Sequence, residues 1–274
     1  MEMVKTKLII ALMLLVPVLS MAQEYSWRAD SMDGSRTGCT ATTEDNVDKA
    51  LGTFDGSKYI SPKGKVHPES SATAKVARLM ISAQPEMARV KKVIAFSEEA
   101  MRSSSRECKL SNWFVGIVMR KVQELSGKKV DVGICNFGGI RQDMPEGDVI
   151  LDDILSMFPF RNNIVYLELK GSDLRNIFET MAATRFQAVG GADILAEDGK
   201  LAHVRIDGEP LEDDKLYSVA TISFLLDGGD SLSLGANAVN LKEFDVQIVD
   251  AVLSVINSDG GRIVAPDVKY VTVR

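Results

Sequence analysis

The sequence predicts a mixed α/β (α+β) domain whose sheets are not fully parallel. Apolar stripes at helical spacing alternate with β-branched runs along the chain from residue 71 onward. An Asp207-Gly208 pair beside one of those runs supplies hairpin-turn chemistry, and hairpins pair antiparallel. The composition, 45% apolar and 26% charged over 274 residues, suits one large globular domain or two small ones.

The elements follow in order. Residues 23–70, rich in Ser, Thr, Gly and Asp, read as an irregular extension ahead of a domain over 71–274. TAKVARLMISAQPEMARVKKVIAF opens as an amphipathic helix, with Val76, Leu79 and Met80 as its core stripe and Pro85 interrupting it. Its last segment, VKKVIAF, reads as a strand. Leu110, Phe114, Ile117, Val118, Val122 and Leu125 recur on one helical face, and Gly127 is placed to end that helix. VDVGICN (130–136) is a strand, LDDILSMF a short helix and NIVYLEL (163–169) another strand. Ser172 is expected to cap a helix carrying Leu174, Ile177, Phe178 and Met181 inward. LAHVRI and LYSVATIS are strands separated by IDGEPLEDDK. Val249, Val252, Leu253 and Ile256 mark a further helix, and VKYVTVR closes the chain as a strand.

The first 22 residues are set apart from the fold. Lys5 and Lys7 precede LIIALMLLVPVLS, an apolar run of signal-peptide length, and Ser20-Met21-Ala22 offers small residues for cleavage after Ala22. The run is too short for a membrane span, and no Cys follows it to carry a lipoprotein anchor. The expectation is an exported, periplasmic or secreted chain with no membrane span. Cleavage would leave 30 basic against 37 acidic side chains, a net of −7, which argues against a nucleic-acid polymer or an anionic membrane as partner. Cys39, Cys108 and Cys135 form an odd set with no metal or redox spacing, and Cys135 reads as a buried free thiol.

Three stretches carry more than packing asks for. In Asn136-Phe137-Gly138-Gly139-Ile140-Arg141, the glycines permit positive φ and close backbone approach to an acceptor, and Arg141 adds a planar fork of donors. Met157-Phe158-Pro159-Phe160-Arg161 sets aromatics around a restrained proline ahead of a strand. Phe224-Leu225-Leu226-Asp227-Gly228-Gly229-Asp230 brackets a Gly-Gly turn with an aromatic and carboxylates, groups able to stack on a base and to hold a ribose diol.

Taken in this order, the three resemble the C-terminal, substrate-binding domain of the 5'-nucleotidase/UDP-sugar hydrolase family. NFGGIR (136–141) matches that family's NGGGIR, Pro159-Phe160-Arg161-Asn162 its PFGN, and Phe224 through Asp230 its F-x5-D segment with GGD. The resemblance covers roughly residues 90–260 and implies a layered α/β/β/α fold with mixed sheets. It also implies roles. Phe160 and Phe224 would clamp a nucleobase, and Asp230 would hold the ribose hydroxyls. Asn136, Arg141 and the backbone of Gly138 and Gly139 would meet the base, sugar or phosphate. The family's phosphate-binding Arg lies just upstream of an ESNLGN-like stretch, here Glu107 to Asn112, and Arg106 stands nearby. Phe137 replaces a family glycine.

The family's metallophosphatase motifs, D-x-H and G-N-H-[DE], are absent from this sequence. His67, expected in a loop, and His203, expected in a strand as a structural residue, lie in no such motif, and there is no P-loop. The expected function is therefore the nucleotide- or nucleoside-binding half of a split 5'-nucleotidase-type phosphohydrolase. The chain itself would hold no cofactor. A divalent metal pair would sit on a separate metallophosphatase chain, where it activates water and clamps the displacement at phosphorus. The alternative is a stand-alone exported nucleoside or nucleotide-sugar binding protein. A third possibility is a self-sufficient hydrolase using Asp152, Asp153, Asp227 and Asp230.

Overall fold

The computed structural model of the protein describes residue 42 and residues 45–274. The expected signal segment and Cys39 lie outside the described residues. Among the described residues, no helix is long and apolar enough to cross a membrane.

The span expected to be irregular holds a short helix, α1 (Val47–Leu51), and three strands, β1 (Thr53–Asp55), β2 (Lys58–Ile60) and β3 (Val66–Pro68). These strands form an antiparallel meander. His67 lies in β3 rather than in a loop, stacked on Tyr59 at 5.9 Å between ring centroids. Helix α2 (Ala72–Ser82) follows, with the Ser71 hydroxyl accepting the Ala74 N–H at its start. It stops ahead of Pro85, which sits in the first turn of α3 (Gln84–Val90), where a missing N–H costs nothing.

The expected core stripe of α2 is a misreading. Val76 and Met80 are exposed and Leu79 is 71% exposed, whereas Ala74 and Ala77 are buried against Tyr59. The small meander offers Tyr59, with Phe54 beside it, and the alanine face brings the helix close enough to reach them. Periodicity locates an apolar face; it does not say what covers that face.

The main core begins with β4 (Val93–Ser97), α4 (Lys109–Ser126) and β5 (Val132–Cys135). Then come β6 (Gly147–Ile150), α5 (Leu151–Met157), β7 (Asn163–Lys170) and α6 (Gly171–Ala183). The rest is mostly strand: β8 (Ala188–Gly190), β9 (Ala192–Glu197), β10 (Lys200–Ile206), β11 (Glu209–Pro210), β12 (Leu216–Ile222) and β13 (Asn240–Gln247). Helix α7 (Ile248–Ser258), β14 (Arg262–Ile263) and β15 (Val271–Val273) complete the chain.

The central sheet runs β13-β7-β12-β5-β8. Only β12 and β5 pair in parallel; the other neighbours are antiparallel. A four-stranded sheet runs β11-β10-β9-β15 and a three-stranded one β14-β4-β6, each again mixed. Helix α4 buries Leu110, Phe114, Val118 and Val122 against the central sheet, as its spacing predicts, and Gly127 ends it at φ 68°. Two strand glycines let it settle there. A Cβ on Gly133 would lie 2.6 Å from Val115 and Met119, and one on Gly190 2.9 Å from the same pair.

Two local expectations give way to tertiary contacts. Ser172 is not a cap: α6 starts at Gly171, and the Gly171 and Ser172 N–H groups donate to Lys215 and Asp213 carbonyls instead. That loop presses so close that a Cβ on Gly171 would fall 1.9 Å from the Glu212 oxygen. The Asp207-Gly208 turn does form, with both residues at positive φ, but it joins β10 to the short β11. LYSVATIS becomes β12 in the central sheet, a different sheet from LAHVRI.

Candidate functional site

The register of the central sheet decides where the three motif stretches meet. Strand β12 runs parallel to β5 (Val219 beside Val132) and antiparallel to β7 (Ile222 beside Ile164). The C-terminal ends of β5 and β12 and the N-terminal end of β7 therefore lie along one edge. Asn136–Arg141 leaves β5 there, Ser223–Asp230 leaves β12 there, and Pro159–Asn162 enters β7 there. The Asn163 N–H donates to the Ser223 hydroxyl at 3.0 Å and ties two of these stretches together. The Arg141 N–H donates to the Met157 carbonyl at 2.9 Å and ties the third.

Within the first stretch, Phe137–Gly139 form one 3-10 turn. Neither Gly138 nor Gly139 has the positive φ that the sequence reading allowed for. Gly139 is small for another reason: a Cβ there would sit 2.7 Å from the Asn136 side-chain oxygen. Asn136 is buried beneath the turn, and its Oδ1 has no hydrogen-bond partner among the described residues. A buried acceptor left unpaired costs about 1–3 kcal/mol, so it is a group waiting for a donor. Arg141 is exposed; its Nη1 donates to the Gly138 carbonyl at 3.2 Å, and its guanidinium carbon lies 5.9 Å from the centre of the Phe160 ring.

Phe160 and Phe224 are 47% and 43% exposed, large costs for benzyl groups that packing has not recovered. Gly229 lies directly against Phe224: a Cβ there would come 2.0 Å from the Phe224 carbonyl oxygen and 2.9 Å from the ring. Beyond it, Asp230 and Ser231 take left-handed φ values of 47° and 63°. Left-handed geometry at two successive non-glycine residues costs about 1–2 kcal/mol each and persists where the surroundings impose it. Here the Gly228 N–H donates to the Leu232 carbonyl at 2.8 Å and the Leu232 N–H to the Gly229 carbonyl at 2.9 Å, closing the turn. The Asp230 carboxylate is exposed.

Arg106 precedes helix α4 and is exposed. It lines a cleft of about 710 Å³ with Phe137, Arg185, Phe186 and Gln187. Arg141, Phe160, Phe224 and Asp230 line neither that cleft nor two smaller ones of about 420 and 150 Å³. Both rings are about half-exposed at the sheet edge. Of these neighbours, the sequence reading singled out only Phe137. Arg185-Phe186-Gln187, in an unpatterned loop between α6 and β8, carried no signal. The buried Gln187 accepts the Phe137 N–H at 3.2 Å, a link across fifty residues that spacing does not reveal.

The carboxylates weighed for self-sufficient hydrolysis do not assemble. Asp153 is committed locally, its carboxylate accepting the Ile150 N–H at 2.9 Å and a Gln142 amide hydrogen at 3.2 Å. Among the described residues, no three His, Cys, Asp or Glu side chains converge as a metal-ligand set. Cys135 is fully buried and free, and burial pushes its thiol up, away from thiolate chemistry.

Comparison with known proteins bears on the family of this chain. The sequence model described as 5'-nucleotidase, C-terminal domain, matches residues 86–236. The silent protein UshA(0) of Salmonella typhimurium is 31% identical over 105 residues, which is 36% of this chain and 19% of that protein. The 5'-nucleotidase of Bos taurus is 27% identical over 170 residues, 53% of this chain and 30% of its own length. The crystal structure of a 5'-nucleotidase precursor from Thermus thermophilus superposes with a TM-score of 0.64 at 21% identity, over 81% of this chain and 48% of that one. This last likeness shows a shared fold of mixed sheets. In each case the matched region is less than half of the relative.

Proposed function

Because this chain belongs to the 5'-nucleotidase C-terminal domain family, we propose that it is the nucleotide-binding half of a split phosphohydrolase. In this reading Phe160 and Phe224 stack on a nucleobase and Asp230 accepts from the ribose hydroxyls. Asn136, Arg141 and the Gly138-Gly139 backbone meet the sugar and phosphate side. The phosphate is presented to a divalent metal pair on a separate metallophosphatase chain, both chains being exported. Binding energy gathered at the base then serves to position the reacting phosphorus.

The observation that carries the reading is the convergence of the three stretches on one sheet edge. Two half-exposed rings stand there, with an arginine beside one of them and an aspartate at positive φ beside the other. Stacking contributes roughly 1–3 kcal/mol per ring, a factor of about 5 to 150 in affinity. Calorimetry with AMP should show one-to-one binding to the whole chain, weakened at least tenfold in the Phe160→Ala/Phe224→Ala variant. Unchanged affinity in that variant overturns the base clamp. Co-purification from the native host tests the split: a nucleotide-dependent complex with a metallophosphatase is expected. Tight AMP binding with no such partner would point to a stand-alone capture protein.

A further inference from the structure

We infer that the cleft of about 710 Å³ behind the 136–141 loop is a second ligand site, built for a small amphipathic anion. Its volume lies in the range of small-molecule pockets, which are mostly apolar with a few placed polar groups. The apolar lining comes from separate parts of the chain: Phe137 after β5, Met181 on α6, Phe186 ahead of β8, and Val271 on β15. Met181 and Phe137 are buried and Phe186 half-buried. They offer an apolar wall wide enough for a planar or branched body.

The rim is cationic. Arg106, Arg185 and Lys269 all line the cleft, are exposed, and form no ion pair among the described residues. Lys109 also lines it, but is paired with Glu99 at 2.8 Å. The acidic side chain in the lining, Glu107, has its oxygens engaged. They accept from Asn112 at 2.9 Å and from the Tyr270 and Val271 N–H groups at 2.7 and 2.9 Å. The N-terminus of the 18-residue helix α4 opens on the same space, adding partial positive charge. Asn112 on that helix is 4% exposed, lines the cleft, and keeps an Oδ1 with no partner among the described residues, an acceptor for a donor on the body of the ligand and not for its anionic head. Arg106, Arg185 and Lys269 face one carboxylate in the lining, Glu107, so the cleft carries excess positive charge in a protein of net charge −6. They suit a single carboxylate or phosphate on an aromatic or aliphatic body.

The inference stands apart from the nucleotide reading, so the test removes the base clamp first. In a Phe160→Ala/Phe224→Ala background, 1-naphthyl phosphate and 2-naphthoate should each bind saturably and one to one by calorimetry. Neutral 2-naphthalenemethanol should bind at least tenfold more weakly. Adding Arg185→Ala and Lys269→Ala should weaken both anions tenfold or more while leaving the neutral probe within twofold. Phe186→Ala should weaken all three. Preference for one anion over the other separates a phosphate ligand from a carboxylate. Absence of saturable binding overturns the site, as does unchanged anion affinity in the arginine-lysine variant. Arg185→Glu alone, checked for native circular dichroism, repeats the charge test should the double variant fold poorly.

Discussion

Gly229 is the residue on which the shape of the proposed base clamp turns. Its missing side chain is required by contact with Phe224. Gly229→Ala should displace the ring and weaken AMP binding about tenfold, near the middle of the range for one stacking contact. Affinity within twofold of wild type would show that the ring is not positioned from beneath. Away from the site, Glu168 sets a different test. Its carboxyl is held down at about 2, from an ordinary 4.5, chiefly by a hydrogen bond from Lys128 with Tyr166 and Asn240 adding to it. Burial, with Glu168 second, pushes the Tyr166 phenol up to about 12, so it remains a donor at neutral pH. A folded value below the unfolded one stabilises fully above about pH 4.5 and fades as pH falls toward 2. Glu168→Gln should therefore lose less stability than wild type between about pH 5 and 3, read from urea midpoints. Parallel losses would exclude this cluster as a source of acid sensitivity.

Helices give the clearest contrast between pattern and packing. The stripes of α4 and α2 look alike in sequence, yet one is core and the other faces solvent. Leu79→Ala should change stability by less than about 0.5 kcal/mol, whereas the same substitution at Leu110 should cost about 2–5 kcal/mol. A large loss at Leu79 would mean that α2 is covered in solution. Helix α4 is also held close to the sheet by the lack of side chains on β5 and β8. Gly133→Val would force Met119 and Val115 outward, with an expected cost of about 1–3 kcal/mol in chemical denaturation. Strand glycines of this kind were invisible as packing residues, because a glycine in a sequence looks the same whether it turns a chain or admits a neighbour.

For the molecule as a whole, the proposed function would make the site one wall of a reaction chamber completed by the partner chain. The rings, Arg141 and Asp230 are exposed at a sheet edge. On the proposed function, the isolated chain should bind AMP yet release negligible phosphate with Mn²⁺, Zn²⁺ or Mg²⁺ supplied. Turnover at the rate of a complete enzyme would reject the division of labour. The family assignment rests on the ordered motifs and on the sequence match over residues 86–236.

Residue order alone determined the family, the mixed α/β class, most main-core helices and strands, and the motif residues. Those properties are local: a helical stripe, a β-branched run or an NFGGIR segment is written in consecutive side chains. Only the tertiary structure decided that β12 lies parallel to β5 and antiparallel to β7, and hence that three stretches spread over about ninety residues share one edge. It also decided that Gly139 makes room for Asn136, that Ser172 yields its capping role to loop carbonyls, and that Arg106, Arg185 and Lys269 line one cleft. Strand pairing and close approach depend on contacts between residues far apart in the chain, and no spacing along it encodes which partner is met.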